Sequence, residues 1–154
     1  MTRPALDGLF GVKLPVTDLT RSLPWYQQVF GLEVYLEFPD DDGVVRGVAC
    51  NAAGLGDTAI GLRENPAVER GIAGFDPVIW AVPDQPALEA WVTHLDSLGI
   101  AHSPVIDASV GWLLVFHDPD GLEIHIYTRT RHGIDQGGRS GYGRPADVGG
   151  AATR

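Results

Sequence analysis

The chain has 154 residues, 44% of them hydrophobic and 20% charged, and its formal net charge is −9 at pH 7. This length and composition are typical of one globular domain with a sizeable core. The negative charge argues against a nucleic-acid binder, which needs a basic patch to neutralise phosphates. No apolar run approaches a membrane span, no signal-peptide segment is recognised, and the single Cys50 allows no internal disulfide. We therefore expect a cytoplasmic protein without a membrane partner.

The first half of the chain is expected to form a strand, a helix and three more strands. The first strand is Gly11–Val16, and apolar residues at helical spacing predict a helix that ends at Phe30. Because Pro24 fits only the first turn of a helix, Ser22 is the expected N-cap, and Gly31 is expected to stop the helix. The next strands are predicted at about 33–38, 44–50 and 58–63, and residues 64–74 are predicted as a polar connection.

The second half of the chain repeats this order. A strand at Val78–Val82 precedes a helix at about Pro86–Leu98, for which Asp84 is the natural N-cap. Three further strands are expected at about 104–107, 112–117 and 123–128. Residues 133–154 are Gly-rich and lack periodicity, which predicts a flexible tail after a folded part at residues 1–132. The alternative is that this tail is a lid or an arm that contacts a partner.

An internal repeat links the two halves. The segment LPVTDLTRSLPWYQQVFGLEV at 14–34 is similar to WAVPDQPALEAWVTHLDSLGIAH at 80–102. Val16 and Asp18 recur 66 residues later as Val82 and Asp84. Such a repeat predicts an α+β fold of two βαβββ modules, at about 8–64 and 75–130, that face each other across a site. Two unrelated α+β halves would not be expected to share the same residues at the same boundaries between strand and helix.

The segment FHDPDGLEIHI at 116–126 contains a tight turn, because proline fixes φ, aspartate bonds backbone amides and glycine allows positive φ. Together with the two modules, it resembles the stretch that closes a module of the vicinal oxygen chelate superfamily, which includes glyoxalases, bleomycin resistance proteins and dioxygenases. The resemblance covers about residues 8–130. It implies paired βαβββ modules whose strands curl around an open central cavity, usually completed by dimerisation.

The resemblance also implies where a metal would bind. Metal-binding members place His on the first strand of a module, where this chain has Gly11 and Pro77. They place Glu, Gln or His on the last strand, where it has Gly61 and His125. Only His125 can coordinate, whereas a catalytic metal needs about three protein ligands. We therefore predict no metal and no cofactor, with a rearranged metal site as the alternative.

Two functions follow from the resemblance. The first is a metal-free small-molecule binding protein that sequesters an antibiotic or metabolite, with resistance as its role. The second is an enzyme of the superfamily (glyoxalase-, dioxygenase-, isomerase- or lyase-like) with a degenerate or rearranged metal site, hence a lyase or an oxidoreductase. The acidic charge suits a cationic ligand, unless it is only the acidity common among bacterial cytosolic proteins. Open sheet edges and an incomplete cavity predict a homodimer.

Strand parity selects the candidate site residues, because alternate residues of a strand share one face. The predicted ligand-binding residues are Gly11, Lys13, Gly61, Ile79, Trp112, His125 and Tyr127. In module one, Ala59 and Arg63 are expected to share the face of Gly61.

The candidates for acid–base catalysis are His125, Glu123 and Lys13. Lys13, the only lysine of the chain, either pairs with an anionic ligand or Glu123, or lies at the rim of the cavity. His125 either contacts the ligand, transfers a proton or only lines the wall. Trp112 either stacks on a planar ligand or packs in the core.

Overall fold

The computed structural model describes residues 3–146, which divide into two compact units. The first unit comprises the described chain up to Pro77 together with His117–Glu123. The second comprises Val78–Phe116 and the described chain from Ile124 onward. Each unit contains one four-stranded sheet, so the predicted α+β class is confirmed. No helix in the described range is long and apolar enough to span a membrane.

The first sheet follows the predicted strand–helix–strand–strand–strand order. Its strands are β1 Gly11–Val16, β2 Glu33–Pro39, β3 Val45–Asn51 and β4 Ala59–Glu64. Helix α1, Leu19–Phe30, connects β1 to β2, and helix α2, Pro66–Ile72, follows β4. The spatial order is β1-β4-β3-β2, with β1 parallel to β4 and the other pairs antiparallel.

Helix α1 begins earlier than its proline suggests. Its N-cap is Asp18, whose carboxylate accepts hydrogen bonds from the Thr20 amide (3.0 Å) and hydroxyl (2.6 Å). The prediction of Ser22 as N-cap is wrong, since Ser22 is buried inside the helix and Pro24 lies in the second turn. The lost hydrogen bond at Pro24 is tolerated because the early start satisfies amides at the helix end and buries an apolar face. Gly31 ends the helix as predicted, with φ of 66°.

The segment after β4 was predicted as a polar connection without a helix, but it contains helix α2. The Asn65 side chain caps α2 by accepting a hydrogen bond from the Val68 amide at 3.2 Å. Pro66 occupies the first helical position, where the missing N–H has no intrahelical partner to lose. The dipeptide Asn65-Pro66 is thus a helix-start signal that the short length of α2 concealed.

The second sheet repeats the order of the first. Its strands are β5 Ile79–Val82, β6 Ile106–Asp107, β7 Gly111–His117 and β8 Glu123–Arg131, and helix α3, Gln85–Ser97, connects β5 to β6. Asp84 is the N-cap of α3, as predicted, and accepts a hydrogen bond from the Ala87 amide at 3.0 Å. The spatial order is β5-β8-β7-β6, with β5 parallel to β8. Strand β6 is shorter than predicted because Pro104 has no N–H for a ladder.

The segment predicted as a tail makes contacts where it is described. Residues 133–146 contain neither helix nor strand, but Gln136 is buried. Its side-chain amide donates to the carbonyls of Asp107 (3.1 Å) and Ala108 (3.3 Å), and Arg139 pairs with Asp107 at 3.2 Å. The boundary at residue 132 and the flexibility of the tail stay predictions, and residues 147–154 lie outside the described range.

The turn at 118–121 is built around a buried carboxylate of the first unit. Asp118 is 5% exposed and accepts hydrogen bonds from the Tyr26 hydroxyl at 2.8 Å and from the Asp120 and Leu122 amides at 2.9 Å. Burial raises the pKa of Asp118, and burial next to Asp118 raises the pKa of Tyr26, which keeps the phenol a donor. Asp120 in turn pairs with Arg21 of α1. The turn is therefore fastened to α1 by hydrogen bonds and an ion pair.

Replacing Tyr26 tests this fastening. Tyr26→Phe deprives the buried Asp118 of a donor, so we expect the free energy of unfolding to fall by about 1–3 kcal/mol. Urea denaturation at pH 7 measures the change. The matched control is Tyr35→Phe, because Tyr35 is 45% exposed, and it should change stability by less than about 0.5 kcal/mol. Equal stabilities of the two variants would contradict a structural role for the Tyr26–Asp118 hydrogen bond.

Candidate functional site

A pocket of about 580 Å³ lies on the first sheet, entirely within the first unit. Small residues of β1, β3 and β4 define its floor: Gly11, Gly47, Ala49, Ala59 and Gly61. Larger side chains define its wall: Phe10, Tyr35, Leu36 and Phe38. Pockets that bind drug-sized ligands commonly have this size and are lined mainly by apolar groups.

Strand alternation explains why this face is open. The residues that alternate with the floor residues along β3 and β4 are at most 3% exposed and belong to the core, although Val48 and Leu62 also border the pocket: Val48, Cys50, Ile60 and Leu62. Successive side chains of a strand point to opposite faces, so the floor residues are left on the pocket side. Because glycine and alanine fill little space there, this face of the sheet leaves room for a ligand.

The wall depends on an irregularity in β2. The register between β2 and β3 shifts between Val34 and Leu36, which interrupts the alternation of the strand. Tyr35 and Leu36, although adjacent, therefore both line the pocket and are 45% and 50% exposed. Sequence reasoning missed these wall residues, because nothing in the segment 33–39 marks the bulge.

Three of the predicted ligand-binding residues line this pocket: Gly11, Lys13 and Gly61. At position 11, glycine allows the close approach of β1 and β4, because a Cβ there would lie 3.0 Å from the Ala59 carbonyl oxygen. Gly61 has more room, since a Cβ there would lie 3.5 Å from Lys13 Cγ, an ordinary van der Waals contact. A larger residue at position 61 would therefore fill the pocket without displacing the backbone. Ala59 and Arg63, which share the parity of Gly61, also line the pocket.

The charged groups of the lining are both cationic. Lys13 and Arg63 line the pocket, and the lining contains no Asp or Glu. Arg63 donates to Asp40 at 3.0 Å, whereas the Lys13 ammonium forms no ion pair or hydrogen bond with another residue between 3 and 146. Arg46 joins the Arg63–Asp40 pair by its own contact with Asp40 at 3.3 Å. Lys13 is thus the unpartnered cation of the described pocket.

The other predicted ligand-binding residues lie in the second unit. Ile79 of β5 is opposite His125 of β8, and Ile79 is 60% exposed. The Tyr127 hydroxyl accepts hydrogen bonds from the Val110 amide at 3.0 Å and the Gly111 amide at 3.2 Å, so it holds the start of β7. The Trp112 ring meets the His132 ring edge to face, with centroids 5.5 Å apart.

The candidates for acid–base catalysis fall into two groups. Lys13 lines the pocket of the first sheet, whereas Glu123 and His125 are not among the residues that line it. Both are half-buried on β8 and share a strand face, because Ile124 and Ile126 between and beyond them are buried. Their role in ligand contact stays a prediction.

The donor set does not fit the metal that the resemblance implies. Gly11 and Gly61 have no side-chain donor, and a Cβ at position 11 would lie 3.0 Å from the Ala59 carbonyl oxygen, so a longer residue there would require the backbone to shift. Between residues 3 and 146 no group of three or more His, Cys, Asp or Glu side chains is placed to hold a metal ion. In the first module, the two positions where the resemblance implies metal ligands are thus glycines that line an apolar pocket.

Solved structures share this fold at low sequence identity. TnmS3, an antibiotic binding protein from Streptomyces sp. CB03234, is 20% identical with a TM-score of 0.64, over 82% of this chain and 98% of that chain. A point mutant of the fosfomycin resistance protein FosX from Listeria monocytogenes is 17% identical with a TM-score of 0.63, over 82% and 95% of the two chains. Lactoylglutathione lyase from Agrobacterium tumefaciens is 18% identical with a TM-score of 0.62, over 86% and 100%. Identities this low establish a common fold only.

A family match covers most of the chain. No curated protein sequence matches significantly. The profile of the Glyoxalase/Bleomycin resistance protein/Dioxygenase superfamily matches residues 8–126, which include β1 to β7 and the turn at 118–121. The resemblance based on the repeated modules and the closing turn is therefore confirmed. The chain belongs to the glyoxalase/bleomycin resistance protein/dioxygenase superfamily, the vicinal oxygen chelate group.

Proposed function

We propose that this protein is a metal-free, cytoplasmic small-molecule binding protein that sequesters an antibiotic or a metabolite in the pocket of the first sheet. The observation that carries the proposal is an apolar pocket of about 580 Å³ whose lining includes Gly11 and Gly61, the positions where the resemblance implies metal ligands. The lack of a side chain at Gly61, where a Cβ would have ordinary van der Waals room, leaves space for an organic ligand on the sheet face. The fold shared with the antibiotic binding protein TnmS3 supports this proposal.

The floor and wall suggest how a ligand is held. A flat apolar molecule can lie against the glycine and alanine floor beside the stem of Lys13, because glycine and alanine project little from the strands. The aromatic wall residues Phe10, Tyr35 and Phe38 are 90%, 45% and 47% exposed, so a ligand would remove a large apolar surface from water. Binding of this kind needs no reaction.

A second candidate function is an enzyme of the same superfamily. The observation that favours it is the common strand face of Glu123 and His125, a carboxylate and an imidazole of the kind that general acid–base catalysis uses. Lactoylglutathione lyase, with the same fold, is an enzyme by name. A turnover that His125→Ala abolishes, with ligand affinity unchanged, would favour this candidate over sequestration.

Filling the pocket tests the proposed site. Gly61→Leu projects an isobutyl group from the floor without a backbone clash, so the variant should bind at least about tenfold more weakly to whatever apolar compound the wild type binds. Native mass spectrometry after exposure to a compound library measures this. The control is Gly71→Leu, because Gly71 is exposed and has open space around its Cα. Unchanged binding by Gly61→Leu would show that the ligand lies elsewhere.

Metal content is a separate test. Because Gly11 and Gly61 provide no donor, we expect the protein purified after chelator treatment to contain far less than one transition metal ion per chain. Elemental analysis measures this for Zn, Fe, Mn and Ni. About one tightly held ion per chain would contradict the metal-free proposal, and loss of that ion in His125→Ala would identify a rearranged site.

We also propose that the chain forms a homodimer. The outermost strands of the first sheet are β1 and β2, and β2 exposes Leu36 (50%) and Phe38 (47%) beside its free edge. Strand edges with exposed apolar side chains are normally covered. Analytical ultracentrifugation at micromolar concentration should give twice the chain mass of 16.5 kDa. A monomer at that concentration would refute this assembly.

A further inference from the structure

We propose that the ligand of the first-sheet pocket is an aromatic organic acid whose anionic group binds the Lys13 ammonium. This inference rests on the proposed function, because it names the chemical class that the same pocket takes. It depends on the charges of the lining rather than on the charge of the whole chain.

The lining carries positive charge in an acidic protein. The chain has a formal net charge of −9, yet the pocket residues include Lys13 and Arg63 and no carboxylate. Charges separated by more than about 8 Å are largely screened at physiological ionic strength, so the nearest groups decide which ligand is favoured. The pocket therefore selects against the cationic ligand that the overall composition suits.

Lys13 and Arg63 differ in what already neutralises them. Arg63 is held by Asp40 at 3.0 Å, and Asp40 also contacts Arg46 at 3.3 Å. Lys13 has no such partner between residues 3 and 146. A ligand that covers Lys13 removes water from its ammonium, and this costs free energy unless the ligand supplies a counter-charge. An anionic group supplies it, whereas a neutral or cationic group does not.

The strand register places the two cations near one another. Lys13 lies opposite Gly61 in the β1–β4 pairing, and Arg63 follows Gly61 by two residues on the same strand face. The stem of Lys13 passes over Gly61, where a Cβ would be 3.5 Å from Lys13 Cγ. The glycine thus leaves room for the stem and for a ligand beside it. Because Arg63 is already paired with Asp40, Lys13 is the lining cation left to meet an anionic group of the ligand.

The remainder of the pocket selects an aromatic body for the ligand. Apart from the two cations, the lining consists of glycine, alanine, aliphatic and aromatic residues, including Phe10, Tyr35 and Phe38. Aromatic side chains favour stacked or edge-to-face contacts with a ring. A ligand with one anionic group on a largely apolar ring system would therefore match a pocket whose lining has one unpartnered cation, Lys13, on an otherwise apolar surface.

A pair of fluorescent probes tests the inference. Anilinonaphthalene sulfonate and N-phenyl-1-naphthylamine share an aromatic body, but only the first carries an anion. We expect the sulfonate to bind the wild-type protein more tightly. Lys13→Met should weaken sulfonate binding by about tenfold and leave binding of the neutral amine within about twofold, since only the anion contacts the ammonium. Arg70→Met, on exposed α2, controls for the loss of one positive charge.

The outcomes separate this inference from the proposed function. If Gly61→Leu abolishes binding of both probes while Lys13→Met changes neither, the pocket binds ligands but the acid-binding inference is overturned. If Gly61→Leu changes neither probe, the pocket is not the site and the proposed function fails with it. A selective loss of sulfonate binding in Lys13→Met, with Arg70→Met like the wild type, supports the inference.

Discussion

The two-residue alternation of the first sheet is the constraint on which the site depends. Side chains such as Ile60 and Leu62 are almost fully buried, so their neighbours along β4 must face the other way. Ala59 and Gly61 occupy those positions, and their small size leaves a pocket instead of a packed face. The fold would tolerate larger residues there as far as the backbone at Gly61 is concerned. The openness of this face is consequently a property of the sequence rather than of the fold.

The turn at 118–121 shows how the same chain stabilises the unit that holds the pocket. Its Asp118 is nearly buried, and a buried carboxylate is costly unless each oxygen is hydrogen-bonded. The Tyr26 hydroxyl and two backbone amides meet that need. Since Tyr26 lies on α1 and Asp118 lies 92 residues further along the chain, this contact joins segments that are distant in sequence. It contributes to the stability of the unit, and neither residue lines the pocket.

Local rules predicted much of the fold and little of the site. Gly31, Asp84 and the closing turn follow from φ preferences and capping chemistry, which depend on a few neighbouring residues. The N-cap of α1 was missed because Pro24 was expected to lie in the first turn of the helix. The helix instead begins one turn earlier, where the Asp18 side chain accepts a hydrogen bond from the Thr20 amide. The pocket wall was missed because the bulge in β2 arises only when β2 pairs with β3.

The proposed binding site lies on the open face of the first sheet, where an apolar ligand is expected to contact the floor residues. Nuclear magnetic resonance of the ¹⁵N-labelled protein, titrated with N-phenyl-1-naphthylamine, tests this most directly because it locates the ligand. We expect the largest shifts at the amides of Gly47, Ala49 and Gly61, in the floor of the pocket. Shifts confined to strands β5 to β8, with those amides unchanged, would contradict it.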